Sequence, residues 1–199
     1  MRDIAIREII RRLLDVGTKL HEMKALDFFA REGDWQTCYY SKYVKQVYAW
    51  EIEPLFEKKL KENLPPTAKV TIGDSHILAN NCSEKFDLIV LDNPQGCYGS
   101  YCEHFDALPL ALHLLMNESI VIINVKYEPF DYENKLEWQK RRNEFYGTDA
   151  SFLSDEFIDQ FYTCYFKKQG YDVEHHFSVK RPQEKGLKAC VFKLRKKTL

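Results

Sequence analysis

Two acidic side chains lie where short apolar segments of the sequence end. Asp27 falls within the apolar segment 26–29, and Glu51 closes the segment 47–50. In open α/β sheets, ligands bind beyond the carboxyl ends of the strands. An acid at the end of the second strand, about 20 residues after the first turn, holds a ribose diol. The spacing therefore predicts a pocket for an adenosine-bearing cofactor. For Asp27 the alternative is a hydrogen bond that fixes the loop after its strand.

The alternation of segments along the chain predicts the elements that would position these acids. Apolar segments predict strands at 26–29, 47–50, 69–72, 86–92 and 119–125, and helical spacing or capping signals predict helices at 3–16, 35–43, 54–63, 76–80 and 105–115. The repeated strand–helix order predicts a Rossmann-like α/β fold with a parallel sheet, right-handed crossovers and helices on both faces.

The pattern changes in the last third of the chain. Residues 127–150 are polar, aromatic and basic, which is typical of an insertion. A helix at 154–169 begins with Ser154 as its N-cap, and the alternating segments 171–179 and 187–194 predict a C-terminal antiparallel hairpin. We expect one domain over residues 1–199.

The composition limits the class of protein. With 199 residues, 45% hydrophobic and 30% charged, the chain has an ordinary globular mixture. A net charge of −1 excludes a protein that coats nucleic acid by bulk electrostatics. Six scattered cysteines with no CxxC pair, an amphipathic and charged amino end, and no membrane-length apolar run predict a reduced, cytoplasmic protein with free thiols and no membrane partner.

Four short motifs give the chain a further resemblance. They are DFFAREG at 27–33, EIEP at 51–54, GDS at 73–75 and DNPQG at 92–96. In this order they resemble the motifs of class I S-adenosylmethionine-dependent methyltransferases, from about Lys24 to the end of the chain. The resemblance implies S-adenosyl-L-methionine as cofactor. The residues that it assigns to cofactor binding are Asp27, Phe29, Ala30, Arg31, Gly33, Glu51, Ile52, Asp74, Ser75 and Asp92.

Within the resemblance, three of these acids have distinct implied roles. Glu51 takes the ribose hydroxyls, Asp74 contacts the adenine amine, and Asp27 lies near the methionine amino group. Arg31 replaces the first glycine of the family's motif. Its guanidinium would either close the backbone approach or bind the methionine carboxylate.

The fourth motif resembles the Asp/Asn-Pro-Pro-aromatic motif of enzymes that methylate exocyclic nitrogens, with Asn93 for the first proline and Gln95 for the aromatic residue. Tyr98 is a candidate substitute for that ring. An exocyclic amine needs acceptors that orient its lone pair, and Asp92 and the carbonyl of Asn93 are the candidates. The implied catalytic residues are Asp92, Asn93, Pro94 and Tyr98. For Asp92, a helix-cap role is the alternative.

The resemblance implies an exocyclic amine of a nucleic-acid base, in RNA or DNA, as the substrate. The basic and aromatic segment from Trp138 to Tyr146 would supply stacking rings and phosphate contacts. The alternative for this segment is an amphipathic helix that packs through Leu136, Trp138 and Phe145.

Other functions stay open from the sequence. The same fold without catalysis would be a binding or scaffold subunit, and a methyltransferase could also act on a small molecule or a protein. A nicotinamide dinucleotide needs more glycines than Gly33 near the first turn. Cys97, Cys102 and His104 match no common zinc spacing, so no metal is predicted. The sequence leaves the oligomeric state open.

Overall fold

The computed structural model describes residues 4–129 and 134–197. The strands are β1 Lys24–Asp27, β2 Gln46–Glu51, β3 Lys69–Ile72, β4 Phe86–Leu91, β5 Cys97–Tyr98, β6 Tyr101–Cys102, β7 Leu115–Lys126, β8 Tyr171–Lys180 and β9 Leu187–Lys196. The α-helices are α1 Ile4–Asp15, α2 Thr37–Tyr40, α3 Glu57–Asn63, α4 Ser75–Asn81, α5 Ala107–His113, α6 Leu136–Tyr146 and α7 Asp155–Lys168. Short 3-10 turns span Leu20–Glu22 and Pro54–Phe56.

Seven of the strands form one sheet in the order β3-β2-β1-β4-β7-β9-β8. The first five are parallel, and β9 pairs antiparallel with both β7 and β8. The predicted α/β class, parallel sheet and C-terminal antiparallel hairpin are therefore confirmed. Because the chain order reverses between β1 and β4, the loops after these strands open a crevice at the carboxyl edge of the sheet.

Helices pack on both faces of the sheet because its central strands are apolar on both sides. Leu88 and Val90 of β4 face a core that includes Ile9 of α1, whereas Ile89 belongs to the opposite core with Ile158 of α7. Alternate residues of a strand point to opposite faces, so a continuous apolar run is buried on both. This burial explains why β4 and β7 are the strands that the sequence predicts most clearly.

The first predicted strand and the helix after it are wrong in extent. The strand ends at Asp27, and Phe28 and Phe29 continue into the loop. The predicted helix 35–43 is reduced to the single turn of α2, flanked by hydrogen-bonded turns. This segment carries the chain from the carboxyl end of β1 back to the amino end of the parallel strand β2, and it does so mostly through turns.

The predicted insertion contains helix α6, which ends at Gly147 with a φ of +70°. Four residues of the insertion, 130–133, lie outside the described residues, as does residue 3 of the predicted N-terminal helix. Ser154 caps α7 as predicted, since its side chain accepts a hydrogen bond from the Phe157 N–H at 3.1 Å. Within the described ranges, no helix combines the length and apolarity needed to cross a membrane.

Candidate functional site

The loop after β1 lies between the ends of two neighbouring strands. The Phe28 N–H donates to the Val90 carbonyl at 3.0 Å, and the Ala30 N–H donates to the Trp50 carbonyl at 3.0 Å. The backbone of this loop is therefore fixed to β4 on one side and to β2 on the other. Its next residue, Arg31, emerges at the crevice.

Arg31 keeps a glycine-like backbone although it carries a long side chain. Its φ is +48°, a left-handed conformation that is uncommon for residues other than glycine. Two residues on, Gly33 has a φ of +71°, and a Cβ there would lie 2.8 Å from Leu60 Cδ1. Both residues of the turn therefore have the backbone conformation that glycine adopts most easily. Position 31 accommodates a side chain, whereas at position 33 a Cβ would clash with Leu60.

Glu51 closes this turn from the neighbouring strand. The residue is only 5% exposed. Oε2 accepts from the Arg31 N–H at 2.6 Å and Oε1 from the Glu53 N–H at 2.8 Å. A carboxylate has about four lone-pair sites, so each oxygen keeps capacity for a further donor such as a hydroxyl.

A cavity of about 330 Å³ lies beside Glu51, and we call it the Glu51 cavity. Its walls are aromatic and apolar around a few polar groups. It is lined by Phe28, Phe29, Arg31, Glu51, Ile52, Asp74, Ser75, His76, Pro94, Tyr98, Gly99 and Tyr101.

One wall of the Glu51 cavity is built on Asp74. This carboxylate caps α4 by accepting from the His76 N–H at 2.8 Å, and its other oxygen accepts from the Tyr101 hydroxyl at 3.3 Å. The Tyr101 ring stacks on the His76 ring with centroids 3.6 Å apart. Tyr98 meets Phe29 edge-on at 6.2 Å. The cavity is therefore suited to a flat ring with polar edges.

A second cavity of about 370 Å³ lies beside Asp92, and we call it the Asp92 cavity. It shares Phe29, Arg31 and Pro94 with the Glu51 cavity, so the two lie side by side along the crevice. Its other lining residues are Trp35, Asp92, Asn93, Gln95, Asn124, Arg181, Glu184 and Leu187.

Asp92 is held by side chains from distant parts of the chain. Its Oδ1 accepts from Arg181 Nη1 at 2.7 Å and from Asn124 Nδ2 at 2.5 Å. The Arg181 side chain is only 3% exposed, and its guanidinium carbon lies 5.6 Å from the centre of the Trp35 ring. The carboxylate is therefore paired with a buried cation.

The carbonyl of Asn93 also has a partner, since Gln95 Nε2 donates to it at 2.9 Å. The Asn93 side chain accepts from the Asn124 N–H at 3.2 Å. Asn124 Oδ1 is buried and has no hydrogen-bond partner in the described part of the chain. Among these groups, Asn124 Oδ1 is the acceptor with the most unused capacity.

Asp27 is fully buried beneath the crevice. Its Oδ2 accepts from the Thr37 hydroxyl at 2.7 Å and the Tyr40 hydroxyl at 3.1 Å, and its Oδ1 accepts from the Phe29 N–H at 3.1 Å. Burial raises the pKa of Asp27 to about 7. These hydrogen bonds connect Asp27 with the loop after β1, which is the alternative role that the sequence leaves open. A direct contact between Asp27 and the cofactor stays a prediction.

The structure brings most of the predicted site residues to the crevice. The Glu51 cavity has Phe29, Arg31, Glu51, Ile52, Asp74 and Ser75, and the Asp92 cavity has Asp92, Asn93 and Pro94. Tyr98 lines the Glu51 cavity, and its hydroxyl donates to the Glu103 carbonyl at 2.8 Å. Asp27, Ala30 and Gly33 lie in or under the supporting loop.

The crevice residues that sequence reasoning missed include Trp35, His76, Tyr101, Asn124 and Arg181. Asn124 carried a usable signal, because an amide within the apolar run of β7 needs a buried polar partner. Arg181 carried none, since it lies in the connection of the C-terminal hairpin, 89 residues from Asp92.

The rings predicted to stack on a nucleic-acid base are packed inside the protein. Trp138 Nε1 and Arg142 Nη1 both donate to Glu103 Oε1, at 2.7 and 2.5 Å. Phe145 stacks on Phe105 with centroids 4.0 Å apart. The arrangement favours the packing alternative for this segment, except that Leu136 is exposed.

No group of three or more His, Cys, Asp or Glu side chains gathers as a metal site within residues 4–129 and 134–197. The six cysteines are free thiols.

No protein-family model matches the sequence, and no curated protein matches it significantly. Solved structures do resemble it. TYW2 from M. jannaschii, determined with AdoMet, has a TM-score of 0.60 at 16% identity over 95% of this chain and 76% of its own. The N-methyltransferase NodS from Bradyrhizobium japonicum has a TM-score of 0.58 at 13% identity over 96% of both chains.

A third similar structure, from Pyrococcus horikoshii, is provisionally described as an RNA methyltransferase. It has a TM-score of 0.58 at 17% identity over 97% of this chain and 84% of its own. At these identities the likeness establishes the fold. The chain has the Rossmann-like fold of S-adenosylmethionine-dependent methyltransferases, with its crevice at the carboxyl edge of the sheet.

Proposed function

We propose that this protein is an S-adenosylmethionine-dependent methyltransferase. The observation that carries the proposal is the pair of adjoining cavities at the switch point of the sheet, one beside Glu51 and one beside Asp92. In our proposal, the first holds the nucleoside of the cofactor and the second holds the group that accepts the methyl.

The residues present fit the cofactor. Glu51 has unused lone pairs next to a turn of backbone N–H donors, which suits a pair of vicinal hydroxyls. Asp74 and Ser75 lie at the start of α4 on the same cavity, and Ile52 and Phe29 offer apolar surface to a flat base. Arg31 reaches both cavities and is the candidate for the methionine carboxylate.

When bound, the cofactor supplies a methyl group already activated by a sulfonium. The task left to the protein is to hold the nucleophile in line and to orient its lone pair. Asp92, Asn93 and Asn124 line the Asp92 cavity, where the Asp92 carboxylate and the Asn93 carbonyl can accept hydrogen bonds from an amine. The buried Arg181 holds the Asp92 carboxylate in place beside the cavity.

We further propose that the group that accepts the methyl is an exocyclic amine of a nucleic-acid base. The fourth motif supports this substrate, as do the descriptions of the similar structures, one as an RNA methyltransferase and one as an N-methyltransferase. The aromatic rings of α6 do not support a nucleic-acid substrate, because they pack inside the protein and cannot stack on a base. Structured RNA is therefore the first substrate to test, followed by DNA and small amines.

The cofactor half of the proposal is tested by calorimetric titration with S-adenosylmethionine. Glu51→Ala should weaken binding by about ten- to a hundredfold, because a charge-assisted hydrogen bond contributes about 1.5–3 kcal/mol. Glu137→Ala, which changes an exposed acid on α6, serves as the matched control and should bind as the unchanged protein does. Absence of binding at millimolar cofactor would refute the proposal that this protein is a methyltransferase.

The transfer half is tested with methyl-labelled cofactor and separate pools of structured RNA, DNA and small metabolites. Label in one pool identifies the substrate class, and Asp92→Ala should abolish its incorporation while leaving cofactor affinity within a few-fold. Full activity of that variant would remove Asp92 from the mechanism.

The pairing of Asp92 with Arg181 specifically favours one competing function, a cofactor-binding subunit without transfer. Tight cofactor binding, no label in any pool and a stoichiometric co-purifying protein would together favour that subunit over the enzyme.

A further inference from the structure

The loop after β4 contains a small hairpin that the sequence does not predict. Strands β5 and β6 pair antiparallel through Cys97 opposite Cys102 and Tyr98 opposite Tyr101. A two-residue turn joins them, with Gly99 at a φ of +57°. This positive φ is what a tight hairpin turn needs at its first central position.

The two cysteines occupy a position in the hairpin where a disulfide fits. The Glu103 N–H donates to the Gly96 carbonyl at 3.0 Å, just outside the cysteine pair. Hydrogen-bonded and non-hydrogen-bonded pairs alternate along an antiparallel ladder, so Cys97 and Cys102 form a non-hydrogen-bonded pair. The Cα atoms of such pairs lie about 4.5 Å apart. Disulfides span about 4.4–6.8 Å, so the bond can close with little backbone movement.

The two thiols differ in exposure. Cys97 is exposed, whereas Cys102 is completely buried. Burial raises the pKa of the Cys102 thiol. Cys97 is therefore the sulfur that meets an oxidant first, and Cys102 is the neighbour that can resolve the product.

The opposite side of the hairpin faces the Glu51 cavity. Side chains alternate along a strand, so Tyr98 and Tyr101 point away from the cysteines, and both line that cavity. Tyr101 stacks on His76, and the Tyr98 hydroxyl bonds to the Glu103 carbonyl. A covalent bond between the strands would hold both tyrosines in this arrangement.

We propose that Cys97 and Cys102 are an oxidation site, a dithiol that closes to an intrachain disulfide and fixes the tyrosine wall of the Glu51 cavity. The oxidant is a peroxide. The Cys97 thiolate attacks one peroxide oxygen, which breaks the O–O bond and gives a sulfenic acid and hydroxide. Cys102 sulfur then displaces the sulfenic oxygen, which leaves as water with the thiol proton. Two thiols are oxidised to one disulfide, and hydrogen peroxide is reduced to two waters.

The test treats the reduced full-length chain with a stoichiometric amount of hydrogen peroxide, quenches it with catalase and maps the peptides by mass spectrometry. A Cys97–Cys102 disulfide, seen as the loss of two hydrogen atoms and reversed by a dithiol reductant, is expected. Cys97→Ser should eliminate it, and Cys164→Ser, which removes an exposed thiol of α7, should leave it intact. Sulfinic acid at Cys97 with Cys102 still a thiol would overturn the proposal.

Hydrogen exchange gives a second readout that needs no cofactor. In the oxidised protein, the backbone amides of residues 98–103 should exchange at least about tenfold more slowly than in the reduced protein, because the cross-link suppresses local opening of the hairpin. Equal exchange in the two forms would refute the effect on the tyrosine wall. Neither readout depends on methyl transfer, so failure here is distinct from failure of the proposed function.

Discussion

Glu51 is the last residue of β2 and Asp92 follows β4, the two strands that flank β1, yet the two acids are held in different ways. Backbone N–H groups of Arg31 and Glu53 bind Glu51. Side chains of Asn124 and Arg181 bind Asp92. The donors of the first acid are fixed by the turn itself, and the donors of the second arrive from β7 and from the C-terminal hairpin.

The difference separates what each acid depends on. No substitution other than one to proline removes a backbone donor, so the hydrogen bonds to Glu51 tolerate most sequence changes as long as the turn keeps its shape. The environment of Asp92 depends on two particular side chains. A single substitution can leave its charge buried without a partner, which is costly in a protein interior.

The largest effect should come from Arg181→Met. It removes the cation from a carboxylate that is 18% exposed on its side chain, and we expect a loss of about 2–4 kcal/mol in the free energy of unfolding, measured by denaturant titration. Arg195→Met, at an exposed ion pair of β9, should cost less than about 1 kcal/mol. Adding Asp92→Asn to Arg181→Met should restore most of the loss. Equal losses of unfolding free energy in the two variants would show that the Asp92–Arg181 ion pair stabilises the fold no more than an exposed ion pair does.

Asp27 extends the comparison to an acid held by neutral donors alone. Its pKa is about 7 in the folded protein, against about 3.9 in an unfolded chain. Between these values the folded state binds more protons, so this group's contribution to stability falls as pH rises from about 4 to about 7 and is lost above that. Asp27→Asn should remove most of this decline, read from urea unfolding at a series of pH values. An unchanged pH profile would contradict the shift.

Glu51→Gln tests whether the backbone donors need a carboxylate. An amide supplies only one acceptor oxygen, so either the Arg31 or the Glu53 N–H loses its partner. We expect a loss of about 1–3 kcal/mol in unfolding free energy. Glu53→Gln is the control, because the Glu53 side chain accepts from the Leu55 N–H over a long 3.5 Å contact. The two variants should differ clearly in thermal unfolding. Matching curves would mean that the hydrogen bonds to Glu51 do not stabilise the turn.

The smallest effect concerns the turn alone. Arg31→Gly relieves a left-handed backbone, and Arg31→Ala retains it, while both remove the guanidinium. The glycine variant should be about 1 kcal/mol more stable than the alanine variant in denaturant titrations, since a Cβ in this conformation costs about 1–2 kcal/mol and glycine regains some entropy on unfolding. An alanine variant of equal or greater stability would argue against strain at this residue.

The same contrast between local and distant contacts explains which features could be predicted from the sequence. Strands β4 and β7, the acid that ends β2 and the acid that follows β4 are local patterns, and the sequence predicts them directly. Hairpin β5–β6 has strands of two residues, too short to show a period. The burial of Trp138 and Arg142 against Glu103 depends on where α6 docks, which no local spacing specifies. The partner of Asp92 depends on the sheet order, in which β9 inserts beside β7.

The ion pair between Asp92 and Arg181 also has a consequence for the order of assembly. A growing polypeptide makes β1 to β4 and the Arg31 turn well before the residue that neutralises Asp92 exists. The side of the crevice beside Glu51 can therefore take shape early, whereas the side beside Asp92 waits for the C-terminal hairpin to dock. Until then Asp92 lacks the cation that pairs with it in the folded protein, so the last part of the crevice to form is the one that depends on Arg181.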